Sequence, residues 1–516
     1  MSLRLKIFIA AGIVLVVAIL VPVIHHYQLR AATGAYIAQL KAQGEPMELA
    51  QVIPPPVPAE QNSADTLRKA AALFDADQSL LETNQADGMR MAAPGKAMIC
   101  WWQPDVRDYD STNSWDDVKT AVARNEKSFA LLQQIIVRPN FDFQIKYENG
   151  VAGLDFTNFC LAASKRAALR LETAAISDLH RSDTASAVKN LRAMLSLVKA
   201  MRDERLVICE LVRIAIANIA LTVNWEVLQS TNITEERLAE LQNDWARLDF
   251  VRSEENALEM ERVIGEITLG KWRSSNSPLL QQFDLARSAR ESMGLPNKND
   301  HPWDKAEMGM EVFLWRYWWS YPDELRALRG YEVLMNTMRL ADTNGSFQDA
   351  LSSQDTALDR LGISKLNNSF DSLFSGETDF HSMLSESIVT LAGVARKVMR
   401  VEAAKQIVMT VIALKRYRLK YGNYPPNLNS LVPEFVPAIP LDPVDGQPLR
   451  YRPNADGTFL LYSVGENGKD DGGNPALEQG AEWRSDYWQN PYALDWVWPQ
   501  PATPQEIQNY YAHPPK

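Results

Sequence analysis

Residues 7–24 form an uncharged apolar run, Ile-Phe-Ile-Ala-Ala-Gly-Ile-Val-Leu-Val-Val-Ala-Ile-Leu-Val-Pro-Val-Ile, in a chain of 516 residues. As a helix rising 1.5 Å per residue the run is roughly 27 Å long, just enough to cross a bilayer core. Arg4 and Lys6 precede it, so the positive-inside rule keeps the N-terminus in the cytoplasm and sends the rest of the chain across. A cleaved signal peptide would have a shorter apolar region, followed by a small-x-small site. Here the run is followed by His25 and His26, which points to an uncleaved single-span anchor. Residues 31–44 can prolong the helix as a stalk. Pro54, Pro55, Pro56 and Pro58 then force an extended path, which reads as a stiff spacer between membrane and body.

Beyond residue 61 the dominant period is helical. Helices are expected over residues 115–137, 156–179, 184–202 and 206–228. Val188, Leu191, Leu195 and Val198 line one face of the third, and the fourth is apolar nearly all round, as a central core helix would be. Asp183 and Thr234 are placed as N-caps. Long helices with short polar breaks suggest antiparallel pairs in a bundle or array. Phe313, Trp315, Tyr317, Trp318, Trp319 and Tyr321 cluster before a helix that starts near Pro322. They read either as core packing or as a surface for a partner or a membrane interface. Residues 344–378, rich in Ser, Asn, Asp and Gly, suggest a domain boundary. One long helix is expected from Phe380 to Tyr421.

The last part reads differently. Gly422, Pro425 and Pro426 stop the long helix. Leu428, Leu431 and Val432 fit one apolar turn, and Pro437, Pro440 and Pro443 keep the next stretch extended. Leu449 and Tyr451, then Phe459 and Leu461, alternate as two strands around Asp456-Gly457, an antiparallel hairpin signal. Leu414-Lys415-Arg416-Tyr417-Arg418, Gly422-Asn423-Tyr424-Pro425, Leu441-Asp442-Pro443, Gly446-Gln447-Pro448-Leu449-Arg450-Tyr451 and Tyr462-Ser463-Val464-Gly465-Glu466-Asn467-Gly468-Lys469 occur in an order and spacing that resembles the soluble domain of the major pseudopilin of type II secretion systems. The remainder resembles large bacterial envelope proteins that end in such a module. The residues after Met1 lack the family's processing motif and its glutamate five residues into the apolar helix. That departure bears on processing and pseudopilus assembly; what the resemblance implies is a folding module and a binding mode.

The chain is accordingly read as mostly α with a small α+β C-terminal module. Residues 1–30 are the transmembrane anchor, 31–60 the stalk and Pro-rich linker, 61–376 the helical domain, and 377–516 the long helix with the pseudopilin-like module. A formal net charge of -11 disfavours nucleic acid as a partner. Cys100, Cys160 and Cys209 are too few and too scattered for a disulfide framework or a zinc site; reduced buried thiols or a single bridge remain.

No nucleophile elbow, phosphate loop, HExxH or CxxC is present, and the six histidines are dispersed. Ser186-x-x-Lys189 and Ser196-x-x-Lys199 fit a serine–lysine pattern twice in one helix without its companion motifs, which marks them as coincidence. Glu235-Glu236 and Glu254-Glu255 read as solvated helix charges. The acidic loop Glu466, Asn467, Asp470, Asp471 offers hard oxygen ligands on a glycine-rich backbone, as calcium prefers. The pseudopilin resemblance implies calcium there, with Asn467, Asp470 and Asp471 as ligands and Asp486 or Asp495 as later ones; a solvated turn is the alternative. The reading is a non-enzymatic, single-pass inner-membrane protein with its bulk in the periplasm, engaging the membrane and a protein partner in secretion-related assembly. The alternatives are an extracytoplasmic hydrolase with its site in the helical domain, or a helical adaptor.

Overall fold

Helix α1, Leu3–Ala42, runs through the apolar stretch and continues past it. The computed structural model describes residues 3–76, 86–107, 112–154, 161–275, 309–310, 312–363, 383–481 and 489–513. Expectations for Cys160, Asp486, the boundary near residue 378 and the start of a helix at Phe380 lie outside these residues.

The second half of α1 is not a free stalk. His26, Leu29, Thr33, Tyr36, Ile37 and Leu40 recur at helical spacing and form its covered stripe. Leu40 is sealed against Met47 and Leu328, and Thr33 Oγ1 donates to the Tyr321 carbonyl at 3.2 Å. A single helical turn, Leu49–Val52, follows, with Val52 fully buried. Glu45 ties this connection down by accepting from Arg339 Nη1 at 2.6 Å and from the buried Arg262 Nη2 at 3.0 Å.

Helix α2, Ala64–Ala76, packs on the later helix α4. A short ribbon follows, β1 (Arg90–Ala93) antiparallel to β2 (Lys96–Met98). Helices α3 (Trp115–Arg124) and α4 (Glu126–Gln134) replace the single helix expected there, because Asn125 breaks the run. Then come α5 (Leu161–His180), α6 (Thr184–Ala200) and α7 (Val207–Gln229), which pack on one another. The α6 face is as expected: Val188, Leu191, Leu195 and Val198 are at most 2% exposed. Asp183 caps α6 by accepting from the Ser186 amide, and Thr234 caps α8 (Glu235–Ala246) by accepting from the Arg237 amide.

Among the described residues, α7 is the helix long and apolar enough to cross a membrane, but most of it is buried against its neighbours. It is the central core helix the sequence suggested, with Trp225 buried and its Nε1 donating to the Pro499 carbonyl at 3.0 Å. Helix α9 (Val251–Ser274) packs on α10 (Ser320–Asn344), which packs on α11 (Phe347–Arg360). A π-helical turn, Trp315–Trp319, leads into α10.

The long helix is interrupted. Helix α12 (Ser385–Ala392) ends at Gly393, a poor helix former, and α13 (Val394–Tyr421) restarts there. Helix α13 packs on α8 and α7 and closes on Gly422, at φ +84°, the left-handed cap that favours glycine. Strands β3 (Arg450–Pro453) and β4 (Phe459–Ser463) make the expected hairpin, with Gly457 at φ +80° in its turn. Strand β5 (Trp496–Val497) adds to β4 antiparallel. Strand β6 (Gln500–Pro501) then leaves the module and pairs parallel with β2, and α14 (Pro504–Ala512) ends beside the same ribbon. Buried apolar residues from Val52 to Trp498 form one continuous cluster, so the helical part and the module share a core.

Candidate functional site

The ribbon β1–β2, the start of α3, the middle of α5 and the end of α14 line a small cleft. Asp87, Arg90, Cys100, Asp105, Trp115 and Tyr511 are among its walls. Asp87 and Arg90 form an ion pair. Cys100 Sγ donates to the Gly88 carbonyl at 3.1 Å, and Tyr511 Oη donates to Met98 Sδ at 3.3 Å. At one side the Trp115 ring stacks on His180, with centroids 4.0 Å apart and planes 8° from parallel; His180 Nδ1 donates to the Trp101 carbonyl at 2.9 Å.

Beneath the cleft two buried glutamates clamp the irregular segment to the helices. Glu172 on α5 accepts from the Gly88 amide at 2.8 Å and from Thr222 Oγ1 at 3.0 Å. Glu226 on α7 accepts from the Cys100 amide at 2.9 Å. Burial pushes both carboxyls up to about 8. The Cys100 thiol is raised well above its ordinary value, first by burial and then by the neighbouring Glu226, so it rests protonated and is no activated nucleophile.

The same device recurs. Glu204 accepts from the Phe143 amide, Glu261 from Val207, and Glu402 from Phe250. Asp323 accepts from both Leu384 and Ser385. Glu261, Glu402 and Asp323 satisfy amides where the chain enters a helix, and Glu204 one in an irregular connection, both places where backbone donors lack partners. These carboxylates therefore have an architectural role, holding backbone amides in place.

Glu254 and Glu255 depart from the expectation of solvated charges: they are 1% and 7% exposed, because that face of α9 is packed inside the body. Glu255 is paired with Arg339 and Arg252, whereas burial holds Glu254 well above the usual carboxylate range and neutral. Glu235 and Glu236 are exposed as expected. Ser196 Oγ donates to the Arg192 carbonyl at 2.8 Å, and Lys189 is exposed, so neither serine–lysine pair is assembled as a catalytic dyad.

The acidic loop does not converge on a point. Asp470 accepts from Tyr462 Oη at 2.9 Å and from the Gly472 amide at 3.0 Å, with Arg450 Nε 3.5 Å away. Asn467 turns to the Lys469 amide with its oxygen and to Asp471 with its nitrogen. Glu466 faces Arg400 and Arg396. Asp495 gathers the loop, accepting from the amides of Asp471 at 3.3 Å and of Gly473 and Asn474 at 2.9 Å. Among the described residues no three His, Cys, Asp or Glu side chains are grouped as a metal requires. In this arrangement Asn467 Oδ1 accepts from the Lys469 amide, Asp470 Oδ1 from the Gly472 amide, and Asp471 Oδ2 from Asn467 Nδ2.

Sequence reasoning missed the cleft, since residues 86–115 look like an unstructured connection and Tyr511 lies some 400 positions further on. The pair Trp101-Trp102 beside Cys100 was its one local signal. Compared with known families, curated proteins and solved structures, the chain matches none.

Proposed function

We propose that this protein is a membrane-anchored, extracytoplasmic interaction protein: α1 holds it in a bacterial inner membrane, and the body presents a pseudopilin-like module to a protein partner in secretion-related assembly, without catalysis. One observation carries the anchor. Val16, Leu20, Val21, Val23 and Ile24 are between 44% and 59% exposed, and they spread over about half the circumference of α1 just before the half of that helix that docks on the body. Large apolar side chains exposed around a helix are stable where lipid takes the place of water. The module reading is supported by the order long helix, glycine cap, single turn at Leu428–Leu431, extended proline stretch and hairpin. Its outer surface leaves Leu419, Tyr421, Ile439 and Leu441 exposed for a partner.

The test is a pair of reporters fused after Lys516 in a Gram-negative host. An alkaline phosphatase fusion should be active and a green fluorescent protein fusion dark, with the chain resisting carbonate extraction. A fluorescent fusion in the cytosolic fraction overturns the reading.

A further inference from the structure

We propose that Met310, Phe313, Tyr317 and Trp318 form a second membrane contact, an aromatic foot that lies in the interfacial layer of the bilayer crossed by α1; the proposal rests on the anchor reading above. The foot is positioned by the docking of α1. His26 Nδ1 donates to the Tyr317 carbonyl at 2.9 Å, and its ring lies 5.7 Å from that of Tyr317 and 5.3 Å from that of Tyr321. Further along, Thr33 bonds the Tyr321 carbonyl, Arg329 sits 5.5 Å over the Tyr36 ring, and Leu40 packs on Leu328. Rising numbers on α1 thus meet rising numbers on the π turn and α10, so the two helices run parallel.

Walking back from Tyr317 therefore leads in the same direction as walking back from His26 into the apolar run, which ends two residues away at Ile24. At 1.5 Å per residue Phe313 lies about 6 Å and Met310 about 10 Å beyond Tyr317, alongside the apolar stretch of α1.

The side chains match that depth. Met310 is 60% exposed, Phe313 53%, Tyr317 45% and Trp318 36%, while Trp315 is fully buried against Leu269 and Trp272. The π turn, in which the Ser320 amide bonds the Trp315 carbonyl five residues back, adds one residue per turn, which alters the register between the buried tryptophan and the exposed rings. Phe313 and Tyr317 have ring centroids 4.9 Å apart and face outward together. Tryptophan and tyrosine are favoured at the headgroup level, where one edge of the ring is wet and the body is not. With both α1 and the foot engaged, the body is held at a set tilt to the membrane, and does not swing on a single helix.

The test uses the full chain reconstituted in vesicles of phosphatidylcholine and phosphatidylglycerol, with the photocrosslinking residue p-benzoylphenylalanine placed singly at position 313, 318, 16 or 137. Val137, 78% exposed on the helical body, is the control away from the foot. Lipid adducts at 313, 318 and 16 with none at 137 are the expected result. Adducts at 16 but not at 313 or 318 overturn the foot and leave the anchor standing. The absence of adducts at 16 as well overturns both, and crosslinks from 313 to protein in native membranes overturn the foot in favour of a protein-binding patch.

Discussion

Replacing Glu226 by glutamine should shift stability in favour of the variant as pH rises. Glu226 is fully buried on α7, where Oε1 accepts from the Cys100 amide and the carboxyl faces a thiol and Glu172. Burial lifts it from 4.5 to about 8. Because the folded value is raised, the native state holds a proton that the unfolded chain releases, so this stability is fully present below 4.5 and is lost as pH rises towards 8. Integrating between the two values, the wild type loses about 2.5 kcal/mol from this group between pH 5 and pH 7 as an upper bound. Glu226→Gln keeps an acceptor for the Cys100 amide and has no proton to lose. Any fixed cost of placing an amide nitrogen in the pocket is the same at every pH and cancels in the comparison. Urea unfolding of both full-length proteins in detergent at pH 5, 6 and 7 reads the effect directly. The gap in stability should shift in favour of the variant as pH rises. A gap that stays constant refutes the claim that Glu226 is held neutral by burial.

Glu45→Ala should cost about 2–3 kcal/mol, because it leaves Arg262 and Arg339 short of a buried partner; a double-mutant cycle with Arg339→Ala checks that the loss comes from this pairing. Asp442 is 0% exposed and accepts from the amides of Val444 and Val464 and from Ser463 Oγ. Asp442→Asn, with one acceptor oxygen fewer, should destabilise by about 2 kcal/mol in thermal unfolding, and an unchanged melting temperature would show the loop to be held otherwise. Chelation by EGTA should leave the melting temperature of the full chain unchanged, since Asp470 is committed to Tyr462 and the Gly472 amide; a clear rise on adding calcium would show that Asn467, Asp470 and Asp471 turn inward around an ion.

Much of the helical body was legible because its signals are local. An apolar stripe at helical spacing on α6, the caps Asp183 and Thr234, Gly422 after α13 and Asp456-Gly457 between two alternating strands each act within a few residues. The misreadings share a different origin. Glu254 looks like any helix glutamate until α9 is seen to bury that face. The aromatic cluster was read as a unit, yet the π turn divides it into a buried Trp315 and exposed Phe313, Tyr317 and Trp318.

The sequence by itself determined the caps of α6 and α8, the glycine stop of α13, the apolar face of α6 and the hairpin turn at Asp456-Gly457. It could do so because hydrogen bonds and side-chain periodicity within one element depend only on near neighbours. Only the tertiary structure decided which carboxyls lose their water, that β6 returns to pair with β2, and that Tyr511 closes a cleft opened by Asp87. Those outcomes rest on contacts between residues hundreds of positions apart, and no local pattern encodes them.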